Sequence, residues 1–144
     1  MDISRLAIHL AKLYPAQKLI PRSLDTLKIS IVIPTLNEAL ILEDSLRAIS
    51  DLNPHEIIVA DDASDDQTSE IAQKMGVQVV ACNNRQIGPT RNDGAKVATG
   101  DVLIFVDADT IVSEEVVLET VEAIESGAVA GGSFPAFEGD IPFL

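Results

Sequence analysis

DVLIFVDADT, residues 101–110, carries five consecutive apolar residues into two aspartates spaced by one position. A run this short, apolar at every position and rich in branched and aromatic side chains, suits a strand buried on both faces. The change to acid at Asp107 marks where that strand leaves the core. The same design recurs upstream. ISIVI at 29–33 is followed by Pro34, Thr35, Leu36, Asn37 and Glu38, and HEIIVA at 55–60 by Asp61, Asp62, Ala63, Ser64 and Asp65. VQVVAC at 77–82 is a further strand.

Helical stretches separate these runs. EALILEDSLRAIS at 38–50 reads as one helix. Ser64 and Gln67 form a capping box that opens a second helix through Met75, with Gly76 at its C-terminal end. PTRNDGAKVA at 89–98 reads as a helical turn or two closed by Gly100, and Gly94 within it signals close backbone packing or ligand approach. Ser113 caps a last helix, with Glu114 and Glu115 in its first turn and its end at Gly127. A weak strand is expected within AVAGGSFPAF at 128–137. Strands alternating with helices define an α/β protein. The expected form is a three-layer α/β/α sandwich with a mostly parallel sheet covered on both sides.

Ligands of such sheets bind beyond the carboxyl ends of the strands. Three strand ends here are polar or acidic, and like charges gathered in a crevice repel one another. A hard cation such as Mg²⁺ or Mn²⁺, held by one or two carboxylates and a substrate's phosphate oxygens, relieves that repulsion. Asp107 and Asp109 are the candidate ligands, because they follow a buried strand directly. Asp61, Asp62 and Asp65 fit turn and capping roles equally well. Arg91 fits either an ion pair with Asp93 or a rim carboxylate, or a contact to a diphosphate or base through its planar fork.

Composition narrows the class. The 144 residues are 47% hydrophobic and 23% charged, as in ordinary globular domains, and suit a single domain. Aromatics are only 3%, so the core must be built from Ile, Val, Leu and Ala. Net charge is −13, and all the excess acid lies beyond residue 28. A body so acidic excludes nucleic acid polymers as partners, because binding them depends on Lys and Arg. A small diphosphate remains possible if a cation bridges the like charges. Cys82 is the only cysteine and reads as a small core residue in a reducing compartment.

Residues 1–28 form a separate segment. Ile3, Leu6, Ala7, Leu10 and Leu13 lie at helical spacing, and a linker with Pro15 and Pro21 follows. This amphipathic helix packs on the domain, on a partner chain, or against a membrane surface. No apolar run is long enough to span a bilayer. The expected location is the cytoplasm, including the inner face of the membrane.

Taken together, ISIVIPTLNEA, EIIVADDASDDQT, GPTRNDGAKVATGD and VLIFVDADT, in this order, resemble the family 2 glycosyltransferases of the GT-A fold. The resemblance covers roughly residues 29–137. It implies that Pro34, Thr35 and Glu38 line the nucleoside pocket, and that Asp62 contacts the base with Asp61 beside it. It implies that Arg91 reaches the base or diphosphate, that Asp107 approaches the ribose or the metal, and that Asp109 ligates the metal. The implied donor is a nucleotide-diphospho-sugar, a UDP-sugar above all, transferred with inversion to an acceptor hydroxyl. The family's general base lies well past the Asp-x-Asp segment. Glu138 and Asp140 are the only acids beyond the last helix, and neither matches its pattern. The domain at 29–144 is therefore expected to be a partial one, incomplete at the C-terminus, without base or acceptor site. It would be active only if completed by another chain, or would serve as a non-catalytic nucleotide-binding module; its unpaired sheet edge also suits a homo-oligomer. A phospho-acceptor signalling domain also places acids at strand ends. That class needs paired acids after the first strand, where PTLNE stands here, and a Lys after the last.

Overall fold

The computed structural model describes residues 27–133. The expected N-terminal helix, most of its linker, Glu138 and Asp140 lie outside the described residues. Four strands form one sheet: β1 (Ile29–Thr35), β2 (Glu56–Asp61), β3 (Gln78–Ala81) and β4 (Val102–Phe105). Their order is β3-β2-β1-β4, with every pairing parallel. The connecting helices are α1 (Leu42–Asp51), α2 (Thr68–Lys74), α3 (Ile87–Val97) and α4 (Glu114–Glu125).

Strand alternation sorts the core into two faces. Ile29, Ile31, Ile33, Val59 and Val102 face one side and pack with Leu42, Leu46 and Ile49 of α1, Ala72 of α2, and Val117 and Val121 of α4. Val32, Ile58, Ala60 and Cys82 face the other side, where, among the described residues, α3 covers the sheet. The α/β/α layering is thus as expected, but the cover is uneven. Leu103 and Phe105 of β4 lie on the α3 face, and both are exposed. Cys82 is a core residue, and burial pushes its thiol up to about 11, far from nucleophilic use.

Several local expectations need correction. The first helix begins at Leu42, four residues later than the pattern suggests, because the chain from Glu38 to Ile41 first closes a turn on the Glu38 carbonyl. The second helix has no Ser64–Gln67 capping box. Ser64 is engaged with Asp61, and Asp66 instead accepts the Thr68 amide at 3.0 Å. The third helix has 11 residues instead of one or two turns. Residues 128–133 form no strand, and the rest of that expected strand lies outside the described residues. Ser113 does cap α4, accepting from the Val116 amide. Gly76 and Gly127 take the left-handed φ values of 74° and 101° that end a helix.

The amino end of the sheet is held by a carboxylate knot. Glu56 accepts from the Ser30 hydroxyl at 2.5 Å, the Thr99 amide at 2.6 Å and the Thr99 hydroxyl at 3.0 Å. Ser30 in turn accepts the Gly100 amide at 2.8 Å, and an added Cβ at Gly100 would stand 2.5 Å from the Ser30 oxygen. The Ser30 hydroxyl, followed by the Thr99 amide, holds the Glu56 carboxyl below its ordinary value of 4.5. A depressed carboxylate stabilises the fold above its unfolded pKa, and that contribution is lost as pH falls through the folded value. Glu56→Gln is therefore expected to lower stability at neutral pH and to flatten the loss of stability below 4.5. Urea midpoints measured from about pH 7 down to about pH 3 check both effects. Parallel wild-type and variant curves across that range would show that the knot carries no titrating load.

Candidate functional site

Because every strand is parallel, Thr35, Asp61 and Phe105 end at the same rim. Thr35 pairs in register with Asp61, the Asp62 amide donates to the Thr35 carbonyl at 2.9 Å, and the Val106 amide donates to Val32 at 3.0 Å. The chain after β1, β2 and β4 thus converges, as the strand-end acids suggested. The loops that leave this rim are laced to each other. The Asn37 amide donates to Ser64 Oγ at 2.8 Å, and Asn37 Oδ1 accepts the Asp65 amide at 2.8 Å. The Glu38 amide donates to Thr68 Oγ1 at 2.9 Å and the Ala39 amide to Asp66 at 3.1 Å. Asn37 and Ala63 both hold left-handed φ values, 57° and 58°, a strain that such lacing must overcome.

The predicted residues divide by accessibility. Pro34, Thr35, Asp61 and Asp62 are buried. Asp61 accepts hydroxyls from Ser64 at 2.5 Å, Ser69 at 2.6 Å and Thr35 at 3.3 Å, so it braces β1 against the loop after β2. Asp62 accepts the Asn84 amide at 2.6 Å. Glu38, Arg91 and Asp107 are partly open, and Asp109 is exposed. Arg91 reaches across from α3 to Asp107, with Nη2 2.5 Å from Oδ1. Asp93 is not its partner but pairs with Lys96 at 2.6 Å. Arg91 Nε is buried with no acceptor among the described residues, so the pair leaves the guanidinium incompletely satisfied.

Asp109 is only lightly engaged. Among the described residues its side chain has one hydrogen-bond partner, the neighbouring Thr110 hydroxyl at 3.4 Å. Glu38 stands close enough to feel it: burial, then the charges of Asp109 and Asp66, hold the Glu38 carboxyl above 4.5. The turn that carries Asp107 and Asp109 is pinned from below, where the Ser45 hydroxyl of α1 donates to the Ala108 carbonyl and the Thr110 amide to the Asp107 carbonyl. Among the described residues no three His, Cys, Asp or Glu side chains form a closed cation cage. Two oxygen-bearing acids, one of them free, fit a hard cation that takes its remaining ligands from water and a phosphate group.

Sequence reasoning missed Asn37, Ser45, Asp66, Thr68 and Asn84. Asn37 and Asp66 carried a signal, since Asn and Asp favour left-handed and capping positions. Ser45 and Thr68 had none, because each acts across the fold on a distant backbone.

The α/β sandwich with its parallel sheet has the GT-A fold, which it shares with the solved transferases described below. Residues 30–143 match the model of the glycosyl transferase family 2, and the chain belongs to that family. It is 37% identical over 117 residues to a dolichol-phosphate mannosyltransferase of Pyrococcus furiosus, which covers 74% of this chain and 33% of that protein. It is 38% identical over 104 residues to a 4,4′-diaponeurosporenoate glycosyltransferase of Staphylococcus haemolyticus, covering 67% and 28%. Among solved structures it superposes on glucosyl-3-phosphoglycerate synthase of Mycobacterium tuberculosis, in complex with Mn²⁺, UDP and glucosyl-3-phosphoglycerate. That match has a TM-score of 0.52 and 30% identity, over 60% of this chain and 35% of that one. A mannosyltransferase of Pyrobaculum calidifontis, in complex with GDP-mannose and Mn²⁺, shares the fold at a TM-score of 0.65 and 22% identity, over 82% and 37%. The chain thus spans about a third of the length of the curated relatives it matches.

Proposed function

We propose that this chain binds a nucleotide-diphospho-sugar, a UDP-sugar in the first instance, through a divalent cation held by Asp109 and Asp107, as the donor half of an inverting glycosyltransferase. The observation that carries the proposal is the rim itself: an uncommitted Asp109 beside an Asp107 that already faces Arg91. Mg²⁺ or Mn²⁺ bound there would stabilise the negative charge that grows on a departing diphosphate. Arg91 is the residue best placed to add to that stabilisation. Its fork matches phosphate oxygens, and turning toward them gives its unsatisfied Nε an acceptor. Pro34 and Thr35 form the buried end of β1 beneath the nucleoside, with Glu38 on its open side. Asp61 keeps that wall in place through its three hydroxyl donors. The relatives' names and the neighbours' bound nucleotides support this reading.

Calorimetric titration of UDP, with Mn²⁺ and then without it, tests the proposal. Binding is expected only with the metal. Binding of equal strength without metal would overturn it. A parallel assay of sugar-donor hydrolysis separates the two forms the activity can take: turnover marks a working transferase domain, and metal-dependent binding without turnover marks a nucleotide-binding module.

A further inference from the structure

We infer that Ser45 of α1 is a positioning residue for the cation: its hydroxyl fixes the peptide between Asp107 and Asp109, and so keeps both carboxylates at the rim where one ion can join them. Its effect on ligand uptake rests on the proposed cation site, whereas its hold on the turn does not.

The destination of this hydroxyl is unusual for a helix. A serine or threonine within a helix commonly donates to its own carbonyl four residues back. Ser50 does so to Leu46 at 2.7 Å in the same helix, Thr90 to Gln86 at 2.9 Å in α3, and Thr120 to Val116 at 2.7 Å in α4. Ser45 instead donates to the Ala108 carbonyl, 63 positions away in sequence. That carbonyl needs the donor. Ala108 is 3% exposed, and among the described residues no backbone amide donates to its oxygen. A buried carbonyl left without a donor is costly, so the hydroxyl and the turn hold each other.

The post that carries the hydroxyl is rigid. α1 is locked into the core by Leu42, Leu46 and Ile49, all almost fully buried. The Ala108 side chain packs in that same core. The turn is thus gripped at its middle residue through both side chain and carbonyl, while Asp107 stays partly open and Asp109 exposed. α1 in turn starts from the Glu38 carbonyl, which accepts the Ile41 and Leu42 amides at 3.1 Å and 2.9 Å. The Glu38 amide donates to Thr68 at the start of α2. The chain segments that follow β1, β2 and β4 therefore share one frame.

Arg91 is the other hold on this turn, gripping the Asp107 side chain from α3 at 2.5 Å. In the proposed function the guanidinium turns toward phosphate oxygens and gives up that grip. The Ser45 bond lies on a part-buried hydroxyl beneath the turn and need not break when a ligand arrives. It is the hold that keeps the acids in place in the bound state, as outer partners of metal ligands do elsewhere.

Ser45→Ala in the full chain tests the inference, with Ser50→Ala as the control, since each removes one hydroxyl bond from the same helix. The Thr110 amide donates to the Asp107 carbonyl at 2.9 Å across the turn. In Ser45→Ala its hydrogen exchange is expected to accelerate about tenfold, with β1 amides unchanged. Mn²⁺ affinity at saturating UDP, read from the electron paramagnetic resonance of free Mn²⁺, should fall about tenfold. Ser50→Ala should change neither, even where it lowers the urea midpoint. Unchanged Thr110 exchange in Ser45→Ala would overturn the inference. So would faster exchange with Mn²⁺ affinity intact, or an equal loss of Mn²⁺ affinity in Ser50→Ala, which would trace to helix stability instead. If Ser45→Ala does not fold, Ser45→Cys carries the same test, because a thiol fills the same space and donates only weakly. If the wild-type chain takes up no Mn²⁺ with UDP, the functional proposal falls, and Thr110 exchange alone decides whether Ser45 holds the turn.

Discussion

Replacing Asp109 with alanine is expected to weaken metal-dependent UDP binding by about a hundredfold or more while leaving the fold intact. The size follows from the local charge. The chain is strongly acidic, with a net −13, so a diphosphate near these carboxylates depends on a bridging cation. Asp109 is exposed and, among the described residues, its side chain bonds only to the Thr110 hydroxyl, so its removal leaves no cavity and frees one exposed hydroxyl that water can satisfy. Stability should therefore change by no more than about 0.5 kcal/mol. Glu38 should also respond. Burial raises its carboxyl first, and the Asp109 charge adds to that, so the variant's Glu38 should titrate closer to its ordinary 4.5. Calorimetry with Mn²⁺ and UDP measures the first effect, and NMR titration of the Glu38 carboxyl the second. Asp107→Ala is the informative contrast, because it also strands Arg91. An Asp109→Ala chain that takes up metal and nucleotide as the wild type does would refute the assignment of the cation site.

Gly94→Ala is expected to destabilise the domain by about 1–3 kcal/mol, and Gly94→Val by more. Helix propensity alone argues the reverse, favouring Ala over Gly by about 1 kcal/mol. Packing decides the sign. A Cβ at Gly94 would stand 2.4 Å from Val32 Cγ1 and 3.3 Å from the Ala60 Cβ. Val32 and Ala60 are fully buried in the central two strands, and a β-branched side chain in a sheet has little freedom at χ1 to step aside. The helix must therefore lift. Because α3 also carries Thr90 and Arg91, lifting it should draw Arg91 away from Asp107 and weaken nucleotide binding beyond the stability loss. Urea unfolding of Gly94→Ala, with Val32→Ala added as the compensating change, checks the argument. The double variant should recover part of the loss. A Gly94→Ala chain more stable than wild type would mean that the helix does not sit this close to the sheet.

Short apolar runs ending in polar or acidic residues were enough, without coordinates, to place β1, β2 and β4 and to identify the rim. Burial on both faces of a parallel strand leaves a nearly unbroken hydrophobic signature, and the change of polarity at Asp61 and Asp107 is abrupt. The end signals at Gly76, Ser113 and Gly127 were equally legible, because left-handed backbone and helix capping depend on one or two neighbouring residues. The uneven cover of the sheet was not legible: Leu103 and Phe105 look like core in one dimension, and only the position of α3 shows that nothing among the described residues lies over them. Nor could sequence separate the acids by role. Asp61, Asp62 and Asp109 are the same residue type at similar strand ends, yet tertiary packing covers the first two and satisfies them with Ser64, Ser69 and Asn84, while Asp109 stays free. Local chemistry is written in adjacent residues and survives reading in a line. The partners that turn one aspartate into a brace and leave another open to a cation lie up to 22 positions away for Asp62, and only the folded chain brings them together.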